Sequence, residues 1–448
     1  MPIAKNFERN FKGLLPAPFT IAVLLTFFTV VLALVITEPK NEENHFIQIL
    51  FFWEQGVWSS QLLVFTIQMM LMLVLGHTLA LSKPVNKIIS SGVKYCNNTA
   101  NSAAIITFFT ILVSLLNWGL GLIFGAIFAR KVGEYASLKN IKLNYPLIGA
   151  SGYSGLMVWH GGVSGSAPIK IAEEGHFLVD KIGVISQSET VFSTMNISIS
   201  ITLLITLPLL MYYLGKKKSG DTINISKEEE EEKKTKITGA ERLDHSSLLA
   251  WFFGGTIILY AFYKAIIIPE NISLKVINPN YINLVLLGLA ILMHKNFFNF
   301  LKAVDNAISG AAGILIQFPL YFGIMGIMNH SGMVNIMSSF FVSISNEITF
   351  PIFTFISAGI VNVFVPSGGG QWAVQGPIII EAATQLGVSI PKNVMALAYG
   401  DQLTNMLQPF WALPLLGITG LKAKEILPYT LILLVAGAFI FISGLLVF

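Results

Sequence analysis

The chain has 448 residues, of which 54% are hydrophobic and only 12% charged, and its mean hydropathy is +0.70. A soluble domain carries roughly 25% charged residues, so this composition excludes a water-wetted globular protein and specifies a membrane protein. A single cysteine, Cys96, excludes an internal disulfide framework and a Cys-based metal centre. No His/Glu spacing suggests zinc, and the net charge of +4 says little, because in membranes the placement of Lys and Arg matters more than their sum. No cofactor and no nucleic-acid partner is expected; the expected surroundings are membrane lipid.

Apolar stretches long enough to cross about 30 Å of hydrocarbon lie near residues 14–37, 58–82, 146–170, 189–214, 247–268, 309–330, 392–417 and 426–448, with a shorter one over 281–294. The first is too long for a signal-peptide core and lacks a small-residue cleavage site, so it reads as a retained span. Lys5, Arg9 and Lys12 precede it, whereas Glu38, Glu42, Glu43 and Glu54 dominate the loop after it, which puts the N-terminus in the cytoplasm. The second span returns to Lys83, Lys87 and Lys94. Stretch 104–129 carries turn-forming residues at its centre and is flanked by basic residues on both sides, ending at Arg130 and Lys131. It is expected to be a re-entrant hairpin with its tip at 117–121.

Continuing along the chain, loop 171–187 with Glu173, Glu174 and Asp180 is expected outside, and Lys216, Lys217 and Lys218 inside. The charged run 227–236, with five consecutive glutamates, reads as a solvated cytoplasmic linker. The helix 247–268 then inverts the second half. Lys295 and Lys302 lie inside, 331–348 is a Lys-free outer loop, 349–378 is a second hairpin, and Lys422 and Lys424 lie inside, leaving the C-terminus outside. Residues 85–98 and 296–308 read as amphipathic interfacial helices. The expected fold is an all-α polytopic membrane protein with about nine transmembrane crossings plus two re-entrant hairpins in two inverted repeats. These are 1–214 and 281–448, separated by a charged linker 215–246 and a linking helix 247–268.

Each half then repeats one device. Asn117, in NWGLG, is followed some 45 residues later by the helix-breaking run Trp159-His160-Gly161-Gly162-Val163-Ser164-Gly165-Ser166. About 245 residues further on, Asn362 leads through Ser367-Gly368-Gly369-Gly370-Gln371-Trp372 to Asp401-Gln402-Leu403-Thr404-Asn405 and Trp411. Broken backbone survives in hydrocarbon only where protein or a watery cavity receives it, and paired breaks in two halves are a pointer to a transporter's solute site. His160 and Asp401 are the ionisable residues nearest mid-span, and no Lys or Arg lies in the centre of any span. An anion would therefore be held by backbone N–H groups. Ser166 followed by Pro168 resembles an N-cap and first turn. His160, Gly161, Gly162, Ser164, Gly165 and Ser166, with Ser367, Gly368, Gly369, Gly370 and Gln371, are the expected substrate contacts. Trp159, Trp372 and Trp411 are the expected apolar wall for a short acyl chain, alongside Trp118. Asn117, Asn362, Asp401, Thr404 and Asn405 are the expected coupling-cation ligands, for Na⁺ or for H⁺ carriage at the acid. Against each reading stands a structural one: a neutral imidazole and a carboxylate satisfying loose backbone, and glycines at close helix crossings.

The stretches WHGGVSGSAP, VPSGGGQWAVQGP and YGDQLTNMLQPFWALP, with the opening LPAPFTIAVLLT and the later GILIQFPLYFGIM, resemble the short-chain fatty acid transporter family from end to end. That family looks like a branch of the wider ion-transporter superfamily. The resemblance implies paired hairpins, unwound helices, elevator-like motion, and transport of short monocarboxylates such as acetoacetate or butyrate across the bacterial cytoplasmic membrane. Because accumulating an anion against an interior-negative potential costs about 2.3 kcal/mol per 100 mV, cation-coupled symport is expected. The alternatives are a carrier of dicarboxylates or other organic anions, an anion channel, and a membrane enzyme using His160 and Asp401. The enzyme reading lacks a nucleophile motif and a metal set. Architectural relatives are often dimers, and no stretch of the sequence marks a contact surface, so a homodimer stays open.

Overall fold

A computed structural model describes residues 18–39, 44–217, 225, 238–269 and 273–448. Lys5, Arg9, Lys12, Glu42, Glu43, Lys218 and the run 227–236, which carried part of the charge argument, lie outside the described residues. Among the described residues the regular elements are helices, and seven of them are long and apolar enough to cross a membrane. Large apolar side chains such as Val35, Leu248, Phe252 and Phe439 are three-quarters or more exposed, while Asn117, His160, Asn362 and Asp401 are almost wholly buried. Apolar surface of that kind costs roughly 25 cal/mol per Å² in water and nothing in lipid.

Most expected spans become helices: Pro18–Ile36, Ser60–Ala80, Thr194–Lys217, Ser247–Phe262, Pro279–His294, Ala312–Ser331 and Ala423–Val447. The two amphipathic segments are Lys83–Val93 and Phe297–Ile308. Two stretches expected as outer loops are helical instead. His45–Val57 starts from an Asn44 cap and packs Gly56 directly against the backbone of Phe322 and Gly326. Met333–Ile344 follows a left-handed turn at Gly332, where φ is 87°. Both are too short to span, which is why they read as loops.

The first hairpin is formed by Thr99–Leu116 and Trp118–Leu138, which share Asn117 as C-cap and N-cap. Its arms run antiparallel, Gly121 opposing Ser114 and Gly125 opposing Thr110. The first arm is itself among the seven helices of spanning length. The second hairpin joins Thr349–Phe364 to Gly368–Leu386, a longer return than the expected end at 378. In each half the first arm packs in parallel against the broken segment of that half. Thr99 Oγ1 accepts from the N–H of Asn144, and Leu115 O accepts from Val163 N–H at 2.8 Å. Likewise Thr354 meets Asn393, and Asn362 meets Asp401. The expected spans 146–170 and 392–417 are accordingly not continuous helices: the first divides into Tyr145–Tyr153, two short 3-10 turns and Ser166–Ile171, the second into Ile390–Thr404 and Pro409–Thr419.

These contacts leave no room for side chains at the crossings. A Cβ on Gly125 would lie 2.1 Å from Gly152 O, whereas one on Gly255 meets nothing within 4 Å. Gly125→Ala is therefore expected to lower the thermal unfolding midpoint of the purified protein through overpacking worth about 1–3 kcal/mol. Gly255→Ala should leave it unchanged or raise it, gaining up to about 1 kcal/mol of helix propensity. Equal midpoints for the two variants would refute the close hairpin contact.

Candidate substrate and cation site

The first break is held open by its neighbours. After Tyr145–Tyr153 the chain makes 3-10 turns over Ser154–Met157 and Trp159–Gly161 and restarts as Ser166–Ile171. Gly162 lies against the Leu115 carbonyl at the end of the hairpin's first arm, where a Cβ would come within 2.5 Å of it. Ser164 Oγ accepts from Trp118 N–H at 3.0 Å, so this hydroxyl stitches the break to the hairpin. The N-cap position of the restarted helix is Gly165, not Ser166, and no side chain caps it. The reason is steric: Gly165 lies close to the His160 carbonyl and the Pro168 ring, where a Cβ would collide.

His160 faces the other half. Its Nδ1 is 2.5 Å from Asp401 Oδ2, and both side chains are buried. Its Nε2 accepts from Ala167 N–H at 3.0 Å. A nitrogen that accepts carries no proton, so the ring is neutral with its proton on Nδ1, donated to Asp401. The His160 and Gly161 N–H groups, expected as anion receivers, converge on Gln402 Oε1 at 2.9 and 3.0 Å. Asn196 Nδ2 donates to Gly161 O at 2.8 Å, and Tyr399 OH donates to Asn196 Oδ1 at 2.9 Å.

At the second break, oxygen atoms gather round one amide. Asn362 Nδ2 stands 2.7 Å from Asp401 O, 3.0 Å from Thr404 Oγ1 and 3.0 Å from Asn405 Oδ1. The buried oxygens Asp401 Oδ1 and Asn362 Oδ1 have no protein partner. An amide's O and N exchange on a flip, which would point Asn362 Oδ1 toward the same three oxygens. Carbonyl, hydroxyl, amide and carboxylate oxygens are the donor set of hard cations. Among the described residues no three His, Cys, Asp or Glu side chains cluster as a metal centre. Asn117 is employed differently: its Oδ1 accepts from Leu120 N–H and caps the second arm of its hairpin.

The Ser367 to Gly370 run joins the first break. Ser367 Oγ caps Gly368–Leu386 through Gly370 N–H. Gly368 abuts Trp159 and His160, Gly369 abuts Phe318 and Phe65, and Gly370 abuts Tyr321, so each glycine receives a ring where a Cβ would collide. Gln371 turns inward, its Nε2 donating to Ala358 O and Gln375 Oε1. Three of the four tryptophans form a series: Trp411 lies 5.4 Å from Trp118, Trp118 5.6 Å from Trp159, and Trp159 stacks on His160 at 4.6 Å. Trp372 belongs elsewhere, in a separate core cluster beside Phe177. Trp411 and Ser367 line a cavity of about 290 Å³ with Gly310, Gly313 and Gln317.

Sequence reasoning missed Gln402, Asn196, Tyr399 and the buried Lys170. Gln402 stood beside Asp401 in YGDQ, and its i+1 placement was the available signal. Lys170 stood at the end of an expected span, 146–170, and was given no role.

A family profile described as "Short chain fatty acid transporter" matches residues 3–448. The chain is 37% identical to a putative short-chain fatty acid transporter of Escherichia coli K12 across all of this chain and 99% of that one. It is 36% identical to a protein of the same description from Haemophilus influenzae, covering 96% of each. Its fold is similar to the Alcanivorax borkumensis YdaH transporter, with a TM-score of 0.60, 14% identity and coverage of 96% of this chain and 98% of that one. It is similar also to Neisseria gonorrhoeae MtrF, of a class titled antimetabolite efflux pumps, with a TM-score of 0.61, 11% identity and coverage of 98% and 97%. The chain belongs to the short-chain fatty acid transporter family.

Proposed function

We propose that the protein is a secondary active symporter that moves short-chain monocarboxylates, such as butyrate or acetoacetate, across the bacterial cytoplasmic membrane with Na⁺ or H⁺. The observation that carries this reading is the contact of two broken segments from opposite halves, His160 to Asp401, beside buried oxygens without partners at Asp401 and Asn362. In this reading the chain makes nine crossings and two re-entrant hairpins, N-terminus in and C-terminus out. Segments 1–214 and 281–448 are its inverted repeats, 215–246 its cytoplasmic linker and 247–268 its linking helix. Importing an anion against an interior-negative potential costs about 2.3 kcal/mol per 100 mV, and a cation carried with it removes that cost. The cation is placed among Asn362, Asp401, Thr404 and Asn405. The carboxylate is placed at the His160 and Gly161 N–H groups, where Gln402 Oε1 now sits, and at Ser367. The Trp411, Trp118 and Trp159 series supplies the wall for the acyl chain.

In proteoliposomes, radiolabelled butyrate should accumulate uphill and saturably when an inward Na⁺ or H⁺ gradient is imposed, and the gradient that succeeds names the ion. Flux indifferent to both gradients would sink the symport reading in favour of a channel. Asp401→Asn keeps an acceptor for His160 but removes the charge, so gradient-driven accumulation should fall by at least about tenfold, equivalent to 1.4 kcal/mol of lost coupling. Gln402→Leu leaves two buried N–H groups without an acceptor and should destabilise the protein by about 1–3 kcal/mol for each. Chemical denaturation in detergent reads that loss directly.

A further inference from the structure

Lys170 is only 1% exposed. It sits on the restarted half-helix Ser166–Ile171, one turn beyond Ala167, whose N–H binds His160. Its Nζ lies 2.5 Å from Glu173 Oε2, 3.4 Å from Gln68 Oε1, and 5.1 Å from the centroid of Phe65. The Phe65 ring also reaches the glycine tip of the second hairpin, its Cζ lying 3.1 Å from where a Cβ of Gly369 would stand. Glu173 in turn lines a polar cavity of about 600 Å³ with Glu174, Glu189, Lys275 and Asn280. The ammonium is thus enclosed, its carboxylate partner faces a cavity, and Phe65 contacts both Lys170 and the tip.

We propose that Lys170 is a carboxylate-binding site on the approach to the central site, occupied in this structure by Glu173 as an internal substitute for the substrate's carboxylate. The inference rests on reading the protein as a short-chain carboxylate carrier. A buried ammonium without an anion is costly, so Lys170 requires a carboxylate at all times. Glu173 can yield that place because its other oxygen is separately held: Oε1 accepts from Gln68 Nε2 at 2.6 Å and Asn280 Nδ2 at 3.3 Å. An incoming carboxylate that replaces Oε2 on Nζ leaves Glu173 with its amide donors. The acidic rim is balanced in part, since Lys275 faces the same cavity and Glu189 Oε1 is engaged by Ser186 N–H. One ammonium suits one carboxylate, which matches a monocarboxylate substrate.

The test is butyrate uptake by the reconstituted full chain, with uncharged butyramide as competitor, in wild type, in Glu173→Gln, and in the double variant Lys170→Gln with Glu173→Gln. The double variant buries no unpaired charge. We expect it to keep its unfolding midpoint and maximal rate, to raise KM for butyrate about tenfold, and to weaken the preference for butyrate over butyramide that the central site still exerts. Glu173→Gln leaves Lys170 without an anion in the empty carrier, so its unfolding midpoint should fall without butyrate and recover with it, and its KM should be lower because the internal competitor is gone. A folded double variant with wild-type KM and preference overturns the inference, and the pair is then only a brace between Ser166–Ile171 and Ser60–Ala80. Should the double variant not fold, an unchanged or raised KM in Glu173→Gln overturns it alone. A wild-type protein that neither carries nor binds butyrate overturns the carrier reading and the inference together; wild-type uptake with unaffected variants overturns the inference only.

Discussion

The contact between His160 and Asp401 is what the rest of the site depends on. It joins the break of one half to the break of the other, 241 positions apart in the chain, through a buried bond of 2.5 Å. Its cost is desolvation of a carboxylate, offset by hydrogen bonds that are strong in a low-dielectric interior. Every neighbouring feature serves to hold the two groups in register. Ala167 N–H fixes the imidazole tautomer, Gln402 holds the backbone of His160, and Trp159 stacks on the ring. Asn362 grips the Asp401 carbonyl from the second hairpin.

The remaining polar groups divide by accessibility of partners. Gln402, Asn196 and Tyr399 satisfy the loose backbone of the first break, which makes it a rigid fixture of this conformation. The second break keeps unpartnered oxygens on Asp401 and Asn362. A buried oxygen without a donor is unfavourable on its own, and Gln187 Oε1, beside Val163 in the first break, is in the same position.

Much of this was legible in the sequence because membrane physics is severe. Hydropathy located most of the long apolar helices, and polar residues inside apolar stretches located the breaks, since broken backbone is not tolerated in hydrocarbon without cause. Asn362, Asp401, Thr404 and Asn405 were read together and do lie together. The glycine runs were read as open donors, yet at Gly368, Gly369 and Gly370 the absent side chains admit rings from other helices. Which ring a glycine receives is long-range information that local sequence does not carry. The same limit applies to Trp372, grouped by motif with the other tryptophans but packed beside Phe177. Lys170 drew no notice for a related reason: position in a hydropathy plot reports depth along a span and not enclosure by neighbours.

The joint of the first hairpin has a consequence for chain length. Asn117 alone ends one helix and begins the next, and its side chain caps the second. There is no slack in a single-residue joint. One inserted residue at the start of Trp118–Leu138 would turn everything after it by about 100° about the helix axis. Gly125 would leave Gly152, and a bulky neighbour would take its place against that backbone. The tip therefore tolerates substitution far better than insertion or deletion, and the spacing between Asn117 and the glycines of its arm is as much a part of the site as the residues that touch a ligand.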